Sequence, residues 1–380
     1  MKKVLFVANA YKHLYAFHRP YIQMLKDNGC QVDVIAARDD RCVENADTCY
    51  SWEVTRSPFN FRNIKAYYQL KKLIEKEKYD LIHCHTATAS TITRLAAHTA
   101  RKKYGTKVLY TSHGFHFYKG APVWFWLIYY PVEKFLSRLT DGIVLINTED
   151  YYLVLNKGFK NKKTYCINGI GIDTKRFAYI DRENTRKQRY KEGYTENQFL
   201  MIYVAEFIHR KNHKFLVDAS LELVKKMENF KILFVGRGAL KQSVQAYAIA
   251  VGADKYIDFL GIRFDLNSLF PMCDVGISSS RQEGLGLALA EEMLCGLPVL
   301  ATHTRGHSEL VKQGKTGFLF KQNNIADFVK FSVELYVNPA KRIEMGKKAC
   351  LHAQNYRIEH SLNRMAEIYS EILQIKIRCI

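Results

Sequence analysis

Val275-Gly276-Ile277-Ser278-Ser279-Ser280-Arg281-Gln282-Glu283-Gly284-Leu285-Gly286-Leu287-Ala288-Leu289-Ala290-Glu291-Glu292-Met293-Leu294-Cys295-Gly296-Leu297-Pro298-Val299-Leu300-Ala301 decides the fold. Val275–Ser278 is a short β-rich run with the composition of a buried strand. The glycines that follow allow a tight loop and close backbone approach. Leu287–Cys295 has the length of a short helix, stopped by Gly296 and Pro298. Val299-Leu300-Ala301 is the next strand. Strand, helix and strand in that order predict a parallel sheet covered on both faces. The stretch also carries chemistry. Free amides at the helix start suit a phosphate. Glu291 can accept two hydrogen bonds from a vicinal diol such as a ribose, and Glu283 on the loop can reach sugar hydroxyls. Acidic residues near a helix start also complement its dipole with no ligand involved, so the two carboxylates alone leave both readings open.

The same alternation extends in both directions. Leu200–Val204, Ile232–Val235 and Ile257–Leu260 are strands upstream, separated by helices. In the N-terminal half, Val4–Ala8, Val32–Ala36, Tyr79–His85, Val108–Ser112 and Ile143–Ile146 read as strands. Helices are predicted over Pro20–Asn28, Ile64–Lys78 and Arg94–Lys103. Residues 173–197 are dense in charge, lack a clear strand and read as a linker. This predicts an α/β protein of two Rossmann-like, doubly wound domains, 1–172 and 198–357, facing a central cleft. A helix over 358–380 is expected to pack back on the first. Ligands in such sheets bind beyond the carboxyl ends of the strands.

The 380 residues suit two such domains, and 48% apolar with 25% charged residues is the balance of a globular protein. No apolar run reaches the ~18–20 residues of a membrane-spanning helix, and the N-terminal run is too short for a signal peptide. The chain carries 57 Lys and Arg against 37 Asp and Glu, a net charge of +20. Residues 51–200 hold 26 basic and 13 acidic side chains, and residues 251–300 reverse the sign with 3 and 7. A basic half points to an anionic partner: nucleic acid, phospholipid or a phosphorylated substrate. No recognition helix or known nucleic-acid module accompanies the charge, so no nucleic-acid partner is expected. Nine cysteines without a CxxC pair read as reduced thiols of a cytoplasmic protein.

Arg210 and Lys211 follow the Leu200–Val204 strand, where two adjacent cations can neutralise a diphosphate. A basic loop on a basic protein is the plainer alternative. Gly236-Arg237-Gly238 marks a tight strand-to-helix turn and falls short of a dinucleotide fingerprint. His113 follows Val108–Ser112, where an imidazole can donate to a sugar or phosphate oxygen, or serve only the core. His83 and His85 share one strand face; with no third ligand evident, no metal is expected. The chain has no Asp-x-Asp for a metal–diphosphate complex. Trp124, Phe125 and Trp126, flanked by Lys119, Lys134 and Arg138, suit either a bilayer interface or a buried helix.

Together these features resemble glycosyltransferase family 4, of GT-B architecture, and its bacterial capsule, exopolysaccharide and O-antigen branch. Glu283 to Glu291 followed by Gly296-Leu297-Pro298-Val299 is similar to that family's Glu-x7-Glu signature. Arg305–Val311, Gly314–Leu319, Thr111–Tyr130 and Asn168–Asp173 extend the likeness over nearly the whole chain. The resemblance implies an acceptor-side domain over 1–172 and a nucleotide-sugar-binding domain over 198–357. It implies a retaining hexosyl transfer, without metal or cofactor, from a nucleotide sugar, UDP-linked by preference. The implied acceptor is a polyprenyl-diphosphate-linked saccharide at the cytoplasmic membrane face. Carried over by residue, His113 and Glu283 would stand at the reaction centre. Arg210, Lys211, Gly236, Arg263, Gly284, Leu285, Gly286, Leu287 and Glu291 would hold the donor. Beside these, His18, Arg19, Trp124, Phe125 and Trp126 are expected to meet the acceptor or an anionic membrane. The chain departs from the family in having Ala205-Glu206 where Gly-Arg is usual. A soluble transferase, a UDP-sugar epimerase and a non-catalytic binding protein are the competing expectations.

Overall fold

The computed structural model describes residues 1–37, 42–178 and 182–379. The chain divides into two compact units, Met1–Gly171 with Ile358–Ile380, and Ile172–Arg357. The first is built on seven strands: β1 (Lys3–Ala10), β2 (Gln31–Ala37), β3 (Thr48–Trp52), β4 (Leu81–His85), β5 (Lys107–Ser112), β6 (Gly142–Leu145) and β7 (Lys163–Cys166). They lie in the order β3-β2-β1-β4-β5-β6-β7, every pair parallel. The second unit holds β8 (Phe199–Val204), β9 (Phe230–Val235), β10 (Ile257–Gly261), β11 (Val275–Ser278), β12 (Val299–Thr302) and β13 (Gly317–Phe320). Their order is β10-β9-β8-β11-β12-β13, again all parallel.

In both sheets the order reverses once, between β1 and β4 and between β8 and β11. In an open parallel sheet the loops leaving those two strands diverge to opposite faces and leave a crevice at the carboxyl ends. Both central strands are apolar throughout and buried, as a sheet covered on both faces requires: Val4–Ala8 in the first and Leu200–Tyr203 in the second. Ring-on-ring packing of Phe215, Phe320 and Phe328 closes one face of the second core.

Residues 173–197, expected to link the domains, belong to the second unit. Residues 179–181 of that segment lie outside the described chain. A helix spans Arg182–Lys191, and Arg189 fastens it, donating to the Met272 carbonyl at 2.6 Å and pairing with Asp274 at 2.8 Å. Among the described side chains of this helix, Lys187 and Lys191 are exposed. The chain passes from one unit to the other at 171/172 and 357/358, and within the second unit Ile172 bridges Arg357. The closing helix Ile358–Leu373 packs in the first unit, with Tyr369 against His83 and Ser361 donating to the Gly169 carbonyl at 3.1 Å.

Two further expectations change. The helix expected over Arg94–Lys103 is a pair, Ala87–Ala96 and His98–Tyr104. The cysteines are not all free, because the return from β2 to β3 brings Cys42 and Cys49 into a disulfide with Cα atoms 6.0 Å apart. Among the described residues no helix is long and apolar enough to cross a membrane.

Candidate active site

The site is built where β8 and β11 part. The chain leaving β8 turns through a short helical turn, His209–Lys211, into the helix His213–Leu223. The chain leaving β11 runs through Ser279–Gly286 into the helix Leu287–Leu294. Hydrogen bonds lash the two exits together. Tyr203 donates to the Lys211 carbonyl at 2.7 Å and meets the Ser280 hydroxyl at 3.0 Å. The Ser279 hydroxyl lies 3.0 Å from the carbonyls of both Lys211 and Asn212. The Arg281 amide donates to the Arg210 carbonyl at 2.8 Å, and the Arg210 guanidinium to the Gln282 carbonyl at 3.0 Å.

That lashing brings three charged side chains together. Lys211 Nζ is ion-paired and hydrogen-bonded to Glu283 Oε1, and Arg210 lies 3.6 Å from Oε2. Glu283 is only 8% exposed. Burial works to raise its pKa, but the Lys211, His307 and Arg210 charges win and hold it at about 2. It stays ionised throughout the neutral range.

Glycines make the approach possible. Gly286, at φ +104°, begins the helix Leu287–Leu294, and no side chain caps it. A Cβ there would come 3.1 Å from the His307 ring. A Cβ on Gly306 would press the Glu283 carbonyl oxygen at 2.8 Å and the Leu285 amide at 2.7 Å, so the Thr304–His307 turn backs the carboxylate loop directly. A Cβ on Gly236 would sit 2.0 Å from the Ala205 carbonyl oxygen, so this turn serves packing against the β8 exit. Leu285 is buried, while Gly284 and Leu287 are partly exposed.

Glu291 lies one turn inside the helix, partly buried. Burial, opposed by the Arg176 charge, raises it to about 7. Its neighbour Glu292 is buried against Gly276 with Oε2 unpartnered, and burial drives its pKa well up. Arg263 is held elsewhere: its guanidinium grips Glu192 through two contacts of 2.8 Å and Asp265 through two more. Its charge is already matched by these carboxylates, so the expected place beside a base gains no support from the geometry.

The sequence reading missed four contributors. His307 is fully buried with Nδ1 at 2.8 Å from the Thr302 carbonyl. Arg176 sits in the segment read as linker. Tyr203 and Ser279 read as ordinary strand-end residues, and their role shows only when two strands distant in sequence become neighbours.

In the first unit the exits of β1, β4 and β5 gather histidines. His13 lies in the helix Tyr11–Phe17 directly after β1, and His18 follows it. His85 ends β4 and His113 follows β5. The four place one ring nitrogen each within 4.8 Å of one another. His18, expected to meet an acceptor, is 2% exposed and stacked on His85, so it is not a surface contact. His83 faces elsewhere, between Tyr369 and Thr111 at 2.8 Å each. Burial lowers the pKa of all five rings, with the Arg56 charge adding to this at His13, which falls to about 4. They are neutral imidazoles at neutral pH.

A largely apolar cavity of about 500 Å³ opens beside them. His13, Arg56, Phe59, His113, Ile128 and Val132 are among its lining residues. Its wall includes the helix Val123–Ser137. Trp124 faces outward and is 53% exposed, with Val123, Leu127, Ile128, Val132 and Phe135 also exposed. Trp126 instead packs on Phe117 and donates to the Tyr118 carbonyl at 3.2 Å, so the membrane role expected of it is not what its position serves. Phe125 is half-buried, and Arg19 is a partly exposed cation beside Tyr15 and Glu44.

Two doubly wound parallel units of this kind are the GT-B architecture of glycosyltransferases. Residues 3–147 match the family described as Glycosyl transferase 4-like, and residues 184–351 match Glycosyl transferases group 1. The chain is 38% identical to the EpsD protein of Bacillus subtilis (strain 168) over 98% of both chains. It is 25% identical to the UDP-Gal:alpha-D-GlcNAc-diphosphoundecaprenol alpha-1,3-galactosyltransferase of Escherichia coli, over 82% of this chain and 80% of that one. Anabaena Alr3699/HepE, solved in complex with UDP and glucose, superposes with a TM-score of 0.79 at 20% identity, covering 98% of this chain and 100% of that one. The chain belongs to glycosyltransferase family 4 and is a glycosyltransferase.

Proposed function

We propose that the protein moves a sugar, with retention of configuration, from a UDP-sugar to a saccharide carried on a polyprenyl diphosphate, in the synthesis of a cell-surface polysaccharide. The observation that carries this reading is the group of Arg210, Lys211 and Glu283 at the reversal point of the second sheet. The relatives support its finer points: the Escherichia coli protein is named for a UDP-linked donor and a diphosphoundecaprenol acceptor.

The chemistry follows from charge. Breaking the bond from the anomeric carbon to the diphosphate leaves negative charge on the departing oxygen. Arg210, Lys211 and the uncapped amides after Gly286 lie where they can take it up, the kind of fixed stabilisation that lowers a barrier most. The incoming diphosphate competes with Glu283 for Lys211 and frees that carboxylate for the donor's hydroxyls. Glu291 takes the ribose diol. On this reading neither Glu is a nucleophile; the leaving oxygen accepts the acceptor's proton on the same face. The cavity beside His113, with Arg56 and apolar walls, suits a diphosphate joined to a hydrocarbon chain. On this reading the protein works at the cytoplasmic face of the membrane, on its surface.

The test is a panel of UDP- and GDP-sugars with the purified protein, read by thermal stabilisation and by transfer to polyprenyl-diphosphate saccharides. One UDP-sugar should raise the melting temperature, a gain of about 2.7 kcal/mol at a hundredfold excess over Kd. Transfer should need the acceptor and fall about 10²–10³-fold in Glu283→Gln. Conversion of a UDP-sugar without acceptor would replace this reading with an epimerase. Full activity of Glu283→Gln would remove that residue from the mechanism.

A further inference from the structure

Three imidazole nitrogens meet head-on in the first unit. His13 Nε2 lies 3.3 Å from His113 Nε2 and 3.3 Å from His18 Nε2. An uncharged imidazole nitrogen is either one donor or one acceptor. His13 Nε2 therefore makes one full hydrogen bond at most, and its second contact can only share the same hydrogen or lone pair. The fourth ring, His85, is fully buried with neither Nδ1 nor Nε2 partnered. Leaving such a group unsatisfied forfeits the hydrogen bonds it made to water before folding. The next residue, Thr86, is β-branched yet held at φ +66°, a strained conformation for such a side chain. Folding so maintains a cluster that hydrogen bonding does not satisfy.

We propose that His13, His18, His85 and His113 form a binding site for a divalent transition-metal ion of the zinc, copper(II) or nickel class. Nitrogens bound to zinc at 2.0–2.1 Å in a tetrahedron stand about 3.3–3.4 Å apart, the separation of both contacts. An all-imidazole set selects those metals over magnesium or calcium, which need oxygen. The supports are rigid: Phe6 packs beneath His85 and His83, and β4 is held in register with β1 and β5. The ion would join the exits of β1, β4 and β5 at the reversal point of the sheet. With Nε2 of His113 on the ion, that ring is fixed as the tautomer protonated at Nδ1, which can still donate to a sugar oxygen. The site lies wholly in the first unit and does not depend on the transferase reading.

The test uses the full chain, stripped by chelator and carrying Cys379→Ser to remove an exposed thiol. It is titrated with zinc chloride and, separately, cobalt(II). One zinc per chain is expected, with a cobalt visible spectrum of tetrahedral intensity and no thiolate charge-transfer band. His13→Gln and His85→Gln should each weaken zinc binding about 100-fold or more, while His98→Gln, an exposed histidine elsewhere, leaves it unchanged. Circular dichroism confirms that the variants fold, and the cobalt spectrum of the unsubstituted site stands if His85→Gln does not. Absence of stoichiometric binding, a thiolate band, or equal binding by folded His13→Gln would overturn the proposal.

Discussion

Two adjacent carboxyls, Glu291 and Glu292, show how far one residue's surroundings set its chemistry. Both follow Ala290 on one short helix, and the motif's spacing singled out Glu291 without a physical reason visible in the sequence. The structure supplies the reason. Glu292 points back under β11, against Gly276, where burial drives its pKa well up. Glu291 keeps part of its surface, with Arg176 as its nearest opposing charge, and titrates at about 7. As pH rises through 7 it loses a proton and gains the capacity to accept two hydrogen bonds from a diol. Nucleotide affinity should therefore rise from pH 6 to pH 8 in the native protein and stay flat in Glu291→Gln, with UDP titrated calorimetrically at each pH. A Glu291→Gln variant that kept the pH dependence would assign it elsewhere. The sign for stability is opposite. The folded chain holds this proton between its ordinary pKa of 4.5 and about 7, so the group's ionisation costs stability as pH rises through that window. A bound diol offsets that cost.

Elements were more legible than partnerships between elements. The apolar strands β1, β2, β4, β5, β8, β9 and β11 stand near their predicted places because buried parallel strands read as unbroken hydrophobic runs. β3, β7 and β13 escaped notice: Thr48–Trp52 and Lys163–Cys166 are short and polar, and Gly317–Phe320 opens on a glycine. What joins helices to one another left no trace in the sequence. Arg94, on the helix Ala87–Ala96, is fully buried and bonds Glu133 of the helix Val123–Ser137 at 2.7 Å. Its guanidinium also covers the Tyr110 ring at 4.3 Å. Removing one partner strands a buried charge, whereas removing both leaves an apolar contact. Arg94→Leu should therefore destabilise the first unit by about 3–5 kcal/mol, and Arg94→Leu with Glu133→Leu should recover most of that loss. Urea unfolding followed by tryptophan fluorescence measures it cleanly, since all three tryptophans, Trp52, Trp124 and Trp126, lie in this unit. Equal destabilisation by the single and double variants would show that packing, not the stranded charge, is responsible.

At the scale of the whole molecule, composition indicated an anionic partner and the structure narrows where one would bind. The excess charge over residues 51–200 falls mostly on the first unit, and that unit also carries the exposed apolar face of the helix Val123–Ser137. Trp124, Leu127, Ile128 and Phe135 recur at helical spacing, so they form one stripe. Lys119 and Arg138, both exposed, flank its ends. The sequence could not separate a core helix from a surface one here, because aromatic density looks the same in both. The structure separates them side chain by side chain: Trp126 turns inward and Trp124 outward. An apolar stripe between cations is the arrangement that lies in a bilayer interface, each cation adding about 1 kcal/mol near an anionic surface. Withdrawing a tryptophan or leucine from such an interface costs roughly 1.5–3 kcal/mol. Trp124→Ser with Leu127→Ser should therefore weaken co-sedimentation with anionic vesicles about tenfold or more, while leaving nucleotide affinity in the second unit unchanged. Lys119→Gln with Arg138→Gln should weaken it less and remove part of its salt dependence. Trp126→Ser should act through the Phe117 packing it loses, lowering the unfolding midpoint more than vesicle binding. If the outward pair can be replaced with no change in vesicle binding, this helix is not the membrane contact, and the basic surface alone must account for any attachment.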